Sequence, residues 1–414
     1  MNTFQILAVL LALAAGGAYL NHQFLRLPAT IGLMAISLLA SITLVLAGEL
    51  GWLDLAPAEA FVRQIPFADL LLHGMLGFLL FAGALHIHLD DLRSMKVPIA
   101  VLATVGVLMA TAITGGLFWL AANWLGFALP FIYALLFGAL ISPTDPIAVL
   151  GILKKYNVSK ELSTKIGGES LFNDGVGVVI FLTILSVATG QQPVAPSAVV
   201  WLLLREALGG AVLGLLLGWV TYRLLRSIDE YKTEVLLTLA LVAGGYALAE
   251  SLHVSAPIAI VAAGLLIGNQ GRQLGMSQIT REHVDMFWEL VDEVLNAVLF
   301  MLIGLEILVF NVTRTHLLAG LLAILAVLIG RVVSVAIPIG VIRLRRHLER
   351  GTIRLLTWGG LRGGISIALA LSLPAGPERE LILAVTYVVV IFSILVQGLT
   401  FRYLIQALAA RVEG

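Results

Sequence analysis

The chain is 414 residues long, with 60% hydrophobic and only 12% charged residues. A soluble domain carries about 25% charged residues, so this composition excludes one and predicts a polytopic membrane protein. The formal net charge of zero argues against a nucleic-acid partner, and the absence of cysteine excludes disulfides and thiolate metal sites.

Windows of about 20 apolar residues, the length that crosses a bilayer, can be placed thirteen times along the chain. Residues 4–20 lack a basic region and a cleavage site, so we interpret them as the first span and not as a removed signal. No linker or soluble domain interrupts the pattern, which predicts one integral membrane domain over residues 1–414. The predicted spans are 4–20, 28–47, 69–87, 97–121, 129–152, 163–189, 199–222, 233–251, 255–270, 284–310, 316–341, 353–373 and 380–405.

The basic residues divide unequally between the two sides of the predicted membrane. Nineteen of the 25 lysines and arginines fall in one set of alternate loops, and only Arg63, Arg314 and Arg379 fall in the other. By the positive-inside rule the richer side is cytoplasmic. The sequence therefore predicts an amino terminus outside the cell and a carboxyl terminus in the cytoplasm.

Two of the predicted spans, the fifth and the twelfth, are interrupted. Pro143 and Pro146 remove two helical donors, so span 5 should open around Thr144 and Asp145. In span 12, four glycines flank Arg362 and weaken the helix there. The two spans are seven apart, an odd number, so corresponding halves would have opposite orientations in the membrane. This pattern predicts two inverted six-helix repeats, spans 1–6 and 8–13, whose broken helices cross at a midplane binding site.

Span 6 carries a polar face. Glu169, Ser170, Asn173 and Asp174 lie on one side of a helix with 3.6 residues per turn, so carboxylate, hydroxyl and amide oxygens converge. Together with the opened region at Asp145 they offer hard oxygen ligands, which suit a hard cation and not a soft metal. Ionisable side chains at this depth mark an ion path, a proton relay or a structural ion pair.

A buried carboxylate of this kind can hold either a proton or a metal cation, and that competition predicts an antiporter. Glu169 is expected to form a structural ion pair, because Arg331 and Arg362 are the only basic residues buried in the second half. We favour Arg362 as its partner. Arg331 then needs another carboxylate or a carbonyl. Asp174 is the carboxylate most free to exchange its ligand, with Asp145 as its possible partner.

Several motifs in order resemble one family over the full length of the chain. They are Thr-Asp-Pro at 144–146, Gly-Glu-Ser-Leu-Phe-Asn-Asp-Gly at 168–175, Phe-Trp-Glu at 287–289, Leu-Ile-Gly-Leu-Glu at 302–306 and Trp-Gly-Gly-Leu-Arg-Gly-Gly at 358–364. The chain resembles the monovalent cation:proton antiporter-1 family, which includes the prokaryotic NhaP-type sodium/proton exchangers. The resemblance implies a homodimer in a prokaryotic cell membrane, with a transport bundle (97–189 and 316–405) that moves against a dimerisation part (1–87 and 199–310).

The resemblance also implies roles for individual residues. Asp174, with Ser170, Asp145 and the Thr144 backbone, would bind the transported Na⁺, and Glu169 would pair with a span 12 arginine. An asparagine before the essential aspartate, here Asn173, is typical of electroneutral exchangers. No cofactor is implied.

One position departs from the family. Many relatives carry an acidic residue in span 3 near the position that Ala82 occupies here, so ion preference does not carry over directly. Exchange of Na⁺ or Li⁺ for H⁺ is therefore the favoured function, and K⁺/H⁺ exchange is the alternative. An intramembrane aspartyl protease, which is an enzyme, or a cation channel accounts less well for the broken spans and the buried arginines.

A further acidic pattern lies near the cytoplasmic start of span 10. Its spacing is that of an ordinary solvated helix face, although it could also form an acidic funnel that concentrates cations at the inner mouth. The residues are Glu282, Asp285, Glu289, Asp292, Glu293 and Asn296.

Overall fold

The computed structural model describes residues 3–155, 160–190, 196–309, 313–343 and 351–409. Within these ranges the chain is almost entirely helical, which confirms the predicted all-α class. The predicted basic loop residues Arg345, Arg346, Arg350 and Arg411 lie outside the described residues.

The first half of the chain runs from α1 to α11. Short π-helical turns at Asn21–Leu25, Leu70–Met75 and Leu102–Gly106 adjoin the α-helices there. The helices are α1 (Thr3–Leu20), α2 (Ala29–Glu49), α3 (Ala56–Arg63), α4 (Phe67–Asp69), α5 (Leu76–Leu85), α6 (Leu89–Ser94), α7 (Lys96–Val101), α8 (Val107–Trp124), α9 (Phe131–Leu140), α10 (Ile147–Lys155) and α11 (Lys160–Ala188).

The second half runs from α12 to α21. It contains π-helical turns at Ile267–Gly271 and Phe392–Gly398 and a 3₁₀ turn at Glu306–Val309. The helices are α12 (Pro196–Leu225), α13 (Tyr231–Ser251), α14 (Ala256–Leu266), α15 (Arg272–Leu274), α16 (Gln278–Leu305), α17 (Arg314–Arg343), α18 (Thr352–Trp358), α19 (Gly364–Leu371), α20 (Pro377–Ile391) and α21 (Leu399–Ala409).

Nine helices in the described part of the chain are long and apolar enough to cross a membrane. Of the four other predicted spans, two consist of a pair of short helices, one is the short apolar helix Ala256–Gly271, and one is the long α16 with its acidic face. The chain is therefore a multi-pass membrane protein. The count of thirteen and the inverted repeat stay predictions.

Both interrupted spans are broken where the sequence predicts. α9 ends at Leu140 and α10 begins at Ile147, while α18 ends at Trp358 and α19 begins at Gly364. α9 is held in place by close contact with α8, since a methyl group on Gly138 would overlap the Thr111 carbonyl. Small residues allow such backbone contact between membrane helices, and here the contact positions the first break.

One loop assignment is wrong. Lys165 is one of the nineteen basic residues assigned above to the cytoplasmic loops, although it lies at the start of the predicted span 163–189. It is fully buried in the first turns of α11. The helix begins at Lys160, because nothing in the sequence from there onward stops it.

Candidate cation site

The two helix breaks meet in the interior. The Asp145 N–H donates a hydrogen bond of 2.8 Å to the Leu361 carbonyl, a single antiparallel bridge between the opened segments. Gly363 lies against the Asp145 side chain so closely that a Cβ at this position would contact the carboxylate. The glycine therefore allows the close approach. The broken helices cross at the residues that the sequence singles out.

Arg362 satisfies carbonyls that the first break leaves without helical donors. Its Nη1 donates to the Ser142 carbonyl at 2.7 Å and to the Pro143 carbonyl at 2.9 Å. Because Pro146 has no N–H, Ser142 lacks its normal helical donor four residues on. The guanidinium is 2% exposed, and it places a positive charge at the carboxyl end of α9, where the helix dipole favours it.

The expected pairing of Glu169 with Arg362 is wrong, because Glu169 pairs with Arg331. Arg331 Nη1 and Nη2 donate to the two Glu169 carboxylate oxygens at 2.5 and 3.1 Å. Arg331 Nε and Nη2 also donate to the Leu356 carbonyl at 3.2 and 2.9 Å. The reason is geometric. α17 directs Arg331 toward α11, whereas Arg362 already donates to the Ser142 and Pro143 carbonyls at the first break. A Cβ on Gly360 would lie 2.6 Å from Arg331 Nε, so a glycine leaves room for the pair.

Two side chains of α11 hold the opened segment at Thr144. The Thr144 N–H donates to Asn173 Oδ1 at 3.2 Å, and Asn173 Nδ2 donates to Thr144 Oγ1 at 2.9 Å. The Ser170 hydroxyl donates to the Thr144 carbonyl. Ser170 and Asn173 are both fully buried. Asn173 therefore acts on the backbone of the break and does not line the space beside it.

We expect Asn173→Ala to lower thermal stability, because it leaves the Thr144 N–H and hydroxyl buried without partners. Unsatisfied buried groups cost about 1–3 kcal/mol each, so the apparent Tm in detergent should fall clearly. Ser186→Ala is the control, since the Ser186 hydroxyl donates to the Thr183 carbonyl of the same helix and holds no other described segment. Equal Tm values for the two variants would show that Thr144 does not depend on this contact.

Asp174 and Asp145 line a cavity of about 470 Å³ together with Ser170 and Thr144. Asp174 is 9% exposed, and among the described residues no group hydrogen-bonds to its carboxylate. Asp145 is half-buried, and its Oδ1 accepts a hydrogen bond of 3.0 Å from the Ile147 N–H. The cavity thus brings together the four residues expected to bind the cation. Glu169, held by its ion pair, lies outside the lining.

The cavity extends toward one end of the helices. His86, His88 and Asp91, which follow α5, line it together with Ser163 of α11. This is the end that the basic residues predict to be cytoplasmic. A second cavity, of about 420 Å³, lies around Arg63 at the end of α3, and the two share no lining residue in the described part of the chain.

Two members of the acidic pattern of span 10, for which the sequence predicts first a solvated face and second an acidic funnel, lie in the wall of the cavity. Asp292 and Asn296 of α16 line the same cavity, although their spacing is that of a solvated face. Ala82 is 1% exposed and adds no oxygen to the lining. Within the described ranges no three His, Cys, Asp or Glu side chains are grouped so that they could hold a metal ion. The carboxylate and hydroxyl oxygens of the lining are hard ligands, the type that hard cations prefer.

Comparison with known proteins gives a consistent result. Residues 8–407 match the family model described as sodium/hydrogen exchanger, transmembrane. The Na⁺/H⁺ antiporter NhaP of Pseudomonas aeruginosa is 52% identical over 410 residues, which cover 98% of this chain and 97% of that protein. The Na⁺/H⁺ antiporter NhaH of Halobacillus aidingensis is 37% identical and covers 89% of this chain and 91% of its own length.

The fold is also similar to a solved structure. The sodium/proton antiporter MjNhaP1 of Methanocaldococcus jannaschii matches with a TM-score of 0.76 over 98% of both chains. The sequences are only 19% identical, so this likeness shows the shared fold.

Proposed function

The chain belongs to the sodium/hydrogen exchanger family, and on that premise we propose that it is a secondary antiporter that exchanges Na⁺ or Li⁺ for H⁺ across the cell membrane. It works by alternating access, with cation and proton competing for Asp174. It needs no cofactor and carries out no covalent chemistry.

One observation carries this proposal. Asp174 is a carboxylate without a hydrogen-bond partner among the described residues, and it lies in a cavity whose other oxygens come from Asp145, Ser170 and Thr144. A carboxylate in so dry a place is stable only with a proton or a cation bound to it. A site that must hold one or the other, and can release either into the cavity, couples the two flows.

The charges around Asp174 favour electroneutral exchange of one Na⁺ for one H⁺. Asn173 is neutral and engaged with Thr144, so α11 presents a single carboxylate to the cavity. Asp145 accepts a hydrogen bond from the Ile147 N–H, whereas Asp174 accepts none from the described residues, so we assign the exchanged proton to Asp174. One proton replaced by one monovalent cation moves no net charge.

The two walls of the cavity come from the two parts of the protein that we propose to move relative to each other. One wall comes from α10, α11 and α19, which belong to the proposed transport bundle of residues 97–189 and 316–405. The other comes from α5 and α16, which belong to the proposed scaffold of residues 1–87 and 199–310. Motion of the bundle against the scaffold would close this cavity and open the opposite side.

The scaffold is proposed to form a homodimer. α12 is the most exposed of the candidate spans, with only 11% of its apolar window buried. A second copy of the chain or lipid must cover this face. The amino terminus is proposed to lie outside the cell and the carboxyl terminus in the cytoplasm.

The proposal is tested by dequenching of a pH-sensitive dye in proteoliposomes with an imposed proton gradient. Addition of Na⁺ or Li⁺ should dissipate the gradient equally with and without a potential clamp. A response to K⁺ alone would support the same exchange mechanism with K⁺ as the substrate. K⁺ is the second candidate because Ala82 supplies no side-chain oxygen where many relatives carry an acidic residue. Cation flux without proton movement would contradict antiport.

A further inference from the structure

α16 contributes one acidic side chain to the cavity. Asp292 lines it, while Glu282, Glu289 and Glu293 of the same helix do not. Asp285 does not line it either and is engaged by Arg272 in an ion pair. Only one carboxylate of the acidic face therefore points at the space that leads to Asp174.

Asn296 orients this carboxylate. It lies one helical turn after Asp292, is 4% exposed and also lines the cavity. Its Nδ2 donates to the Asp292 carbonyl at 2.8 Å and to Asp292 Oδ1 at 3.1 Å. Its Oδ1 is buried and accepts no hydrogen bond from any described residue. The pair thus combines a carboxylate with an amide oxygen that lacks a donor.

The charges that act on Asp292 are all of its own sign. Those within electrostatic reach are Asp145, Glu289 and Glu293, and none of the described basic residues is among them. A carboxylate in a largely apolar wall, with like charges around it and, among the described residues, only the Asn296 amide as a donor, is further stabilised by a proton or a bound cation. This arrangement is unlike that of Asp285, which has Arg272, or Glu169, which has Arg331.

Asp292 is separate from the site at Asp174. In the part of the chain that the structure describes, Asp145, Asp174 and Asp292 do not form a group that could hold one ion together. Asp292 is nevertheless near enough to Asp145 for the two charges to repel each other. A cation at Asp292 would therefore occupy a different position within the same cavity.

We propose that Asp292, oriented by Asn296, is a staging site that binds the monovalent cation within the cavity before it reaches Asp145 and Asp174. The site rests on the proposed function, because it serves the same exchange. Its negative charge raises the local cation concentration without entering the coordination at Asp174. Loss of the Asp292 charge should therefore raise the half-saturating cation concentration and leave the maximal rate almost unchanged.

The test compares Asp292→Asn with Glu293→Gln in the proteoliposome assay with Na⁺. Glu293 is the matched control, since it is the next residue, carries the same charge and is exposed outside the cavity. For Asp292→Asn we expect the half-saturating Na⁺ concentration to rise about fivefold, with the maximal rate within about twofold, as loss of one nearby charge predicts. Glu293→Gln removes a charge that acts on Asp292 only from outside the cavity, so it should shift the half-saturating concentration much less than Asp292→Asn does. Asp292→Glu should retain most of the wild-type Na⁺ dependence.

Asn296→Ala should shift the half-saturating concentration in the same direction but less. A purely structural role of Asp292 would lower the apparent Tm and leave the half-saturating Na⁺ concentration unchanged, and that result would overturn the proposal. If the wild-type protein itself shows no Na⁺-dependent proton movement, the proposed function fails. If the wild type exchanges Na⁺ for H⁺ and Asp292→Asn has the same half-saturating Na⁺ concentration as the wild type, only the proposed staging site is refuted.

Discussion

Replacing Asp174 with asparagine is expected to abolish exchange while leaving thermal stability equal to or higher than that of the wild type. Asparagine has the same shape but no charge, so it can neither carry the proton nor attract the cation. Because the Asp174 carboxylate has no hydrogen-bond partner among the described residues, the substitution deprives no other side chain of a partner. It also removes a charge from a dry site, which is favourable by itself.

Two measurements check this expectation. Dye dequenching in proteoliposomes should show no response to Na⁺, and the apparent Tm of the purified variant should no longer rise when Na⁺ is added. A ligand at ten times its Kd stabilises the wild type by about 1.4 kcal/mol, so the loss of that shift reports binding independently of transport. Glu282→Gln, on the exposed face of α16, is the control and should behave as wild type. Exchange at the wild-type rate by pure Asp174→Asn would refute the assignment.

The breaks and the polar face of α11 could be predicted from the sequence because their causes are local. Pro143 and Pro146 remove donors within their own turn, whatever lies around them. Ser170 and Asp174 share a face because of the helical period alone. The cavity lining contains both residues, and the first break includes Thr144 and Asp145, as expected.

The partners of the two buried arginines could not be predicted in the same way. Arg331 and Arg362 lie on different helices, and the choice between them depends on which one reaches α11. A signal was nevertheless present, because the proline that opens span 5 also leaves the Ser142 carbonyl without its helical donor. A buried carbonyl in that condition requires a donor from elsewhere, and Arg362 supplies it.

The position of Asp292 shows a different limit of sequence patterns. A helix face that borders an internal cavity can have the same spacing of acidic residues as one that borders bulk water. The pattern over Glu282 to Glu293 therefore predicts polarity but not which of these carboxylates faces the ion path. Only the packing of α16 against α5 and the broken helices separates Asp292 from its exposed neighbours.

The ion pair of Glu169 with Arg331 leads to the second large expected effect. Arg331→Met should destabilise the protein by about 3–5 kcal/mol, because it leaves the Glu169 carboxylate buried at 1% exposure without its partner. Glu169→Gln should be similarly costly, since it leaves the guanidinium unpaired. The double substitution should be less destabilising than the two single effects added together, because it removes both charges at once.

Arg362→Met provides the comparison that separates the two arginines. It should also destabilise, because the Ser142 and Pro143 carbonyls lose their donor. Its effect should nearly add to that of Glu169→Gln, however, since Arg362 donates no hydrogen bond to that carboxylate. The measurement is the apparent Tm of the three single and two double variants in one detergent. The opposite outcome would be strong coupling between the effects of Glu169→Gln and Arg362→Met, with additive effects of Glu169→Gln and Arg331→Met. It would mean that Arg362 pairs with Glu169 in the membrane and that Arg331 holds the opened segment of span 5.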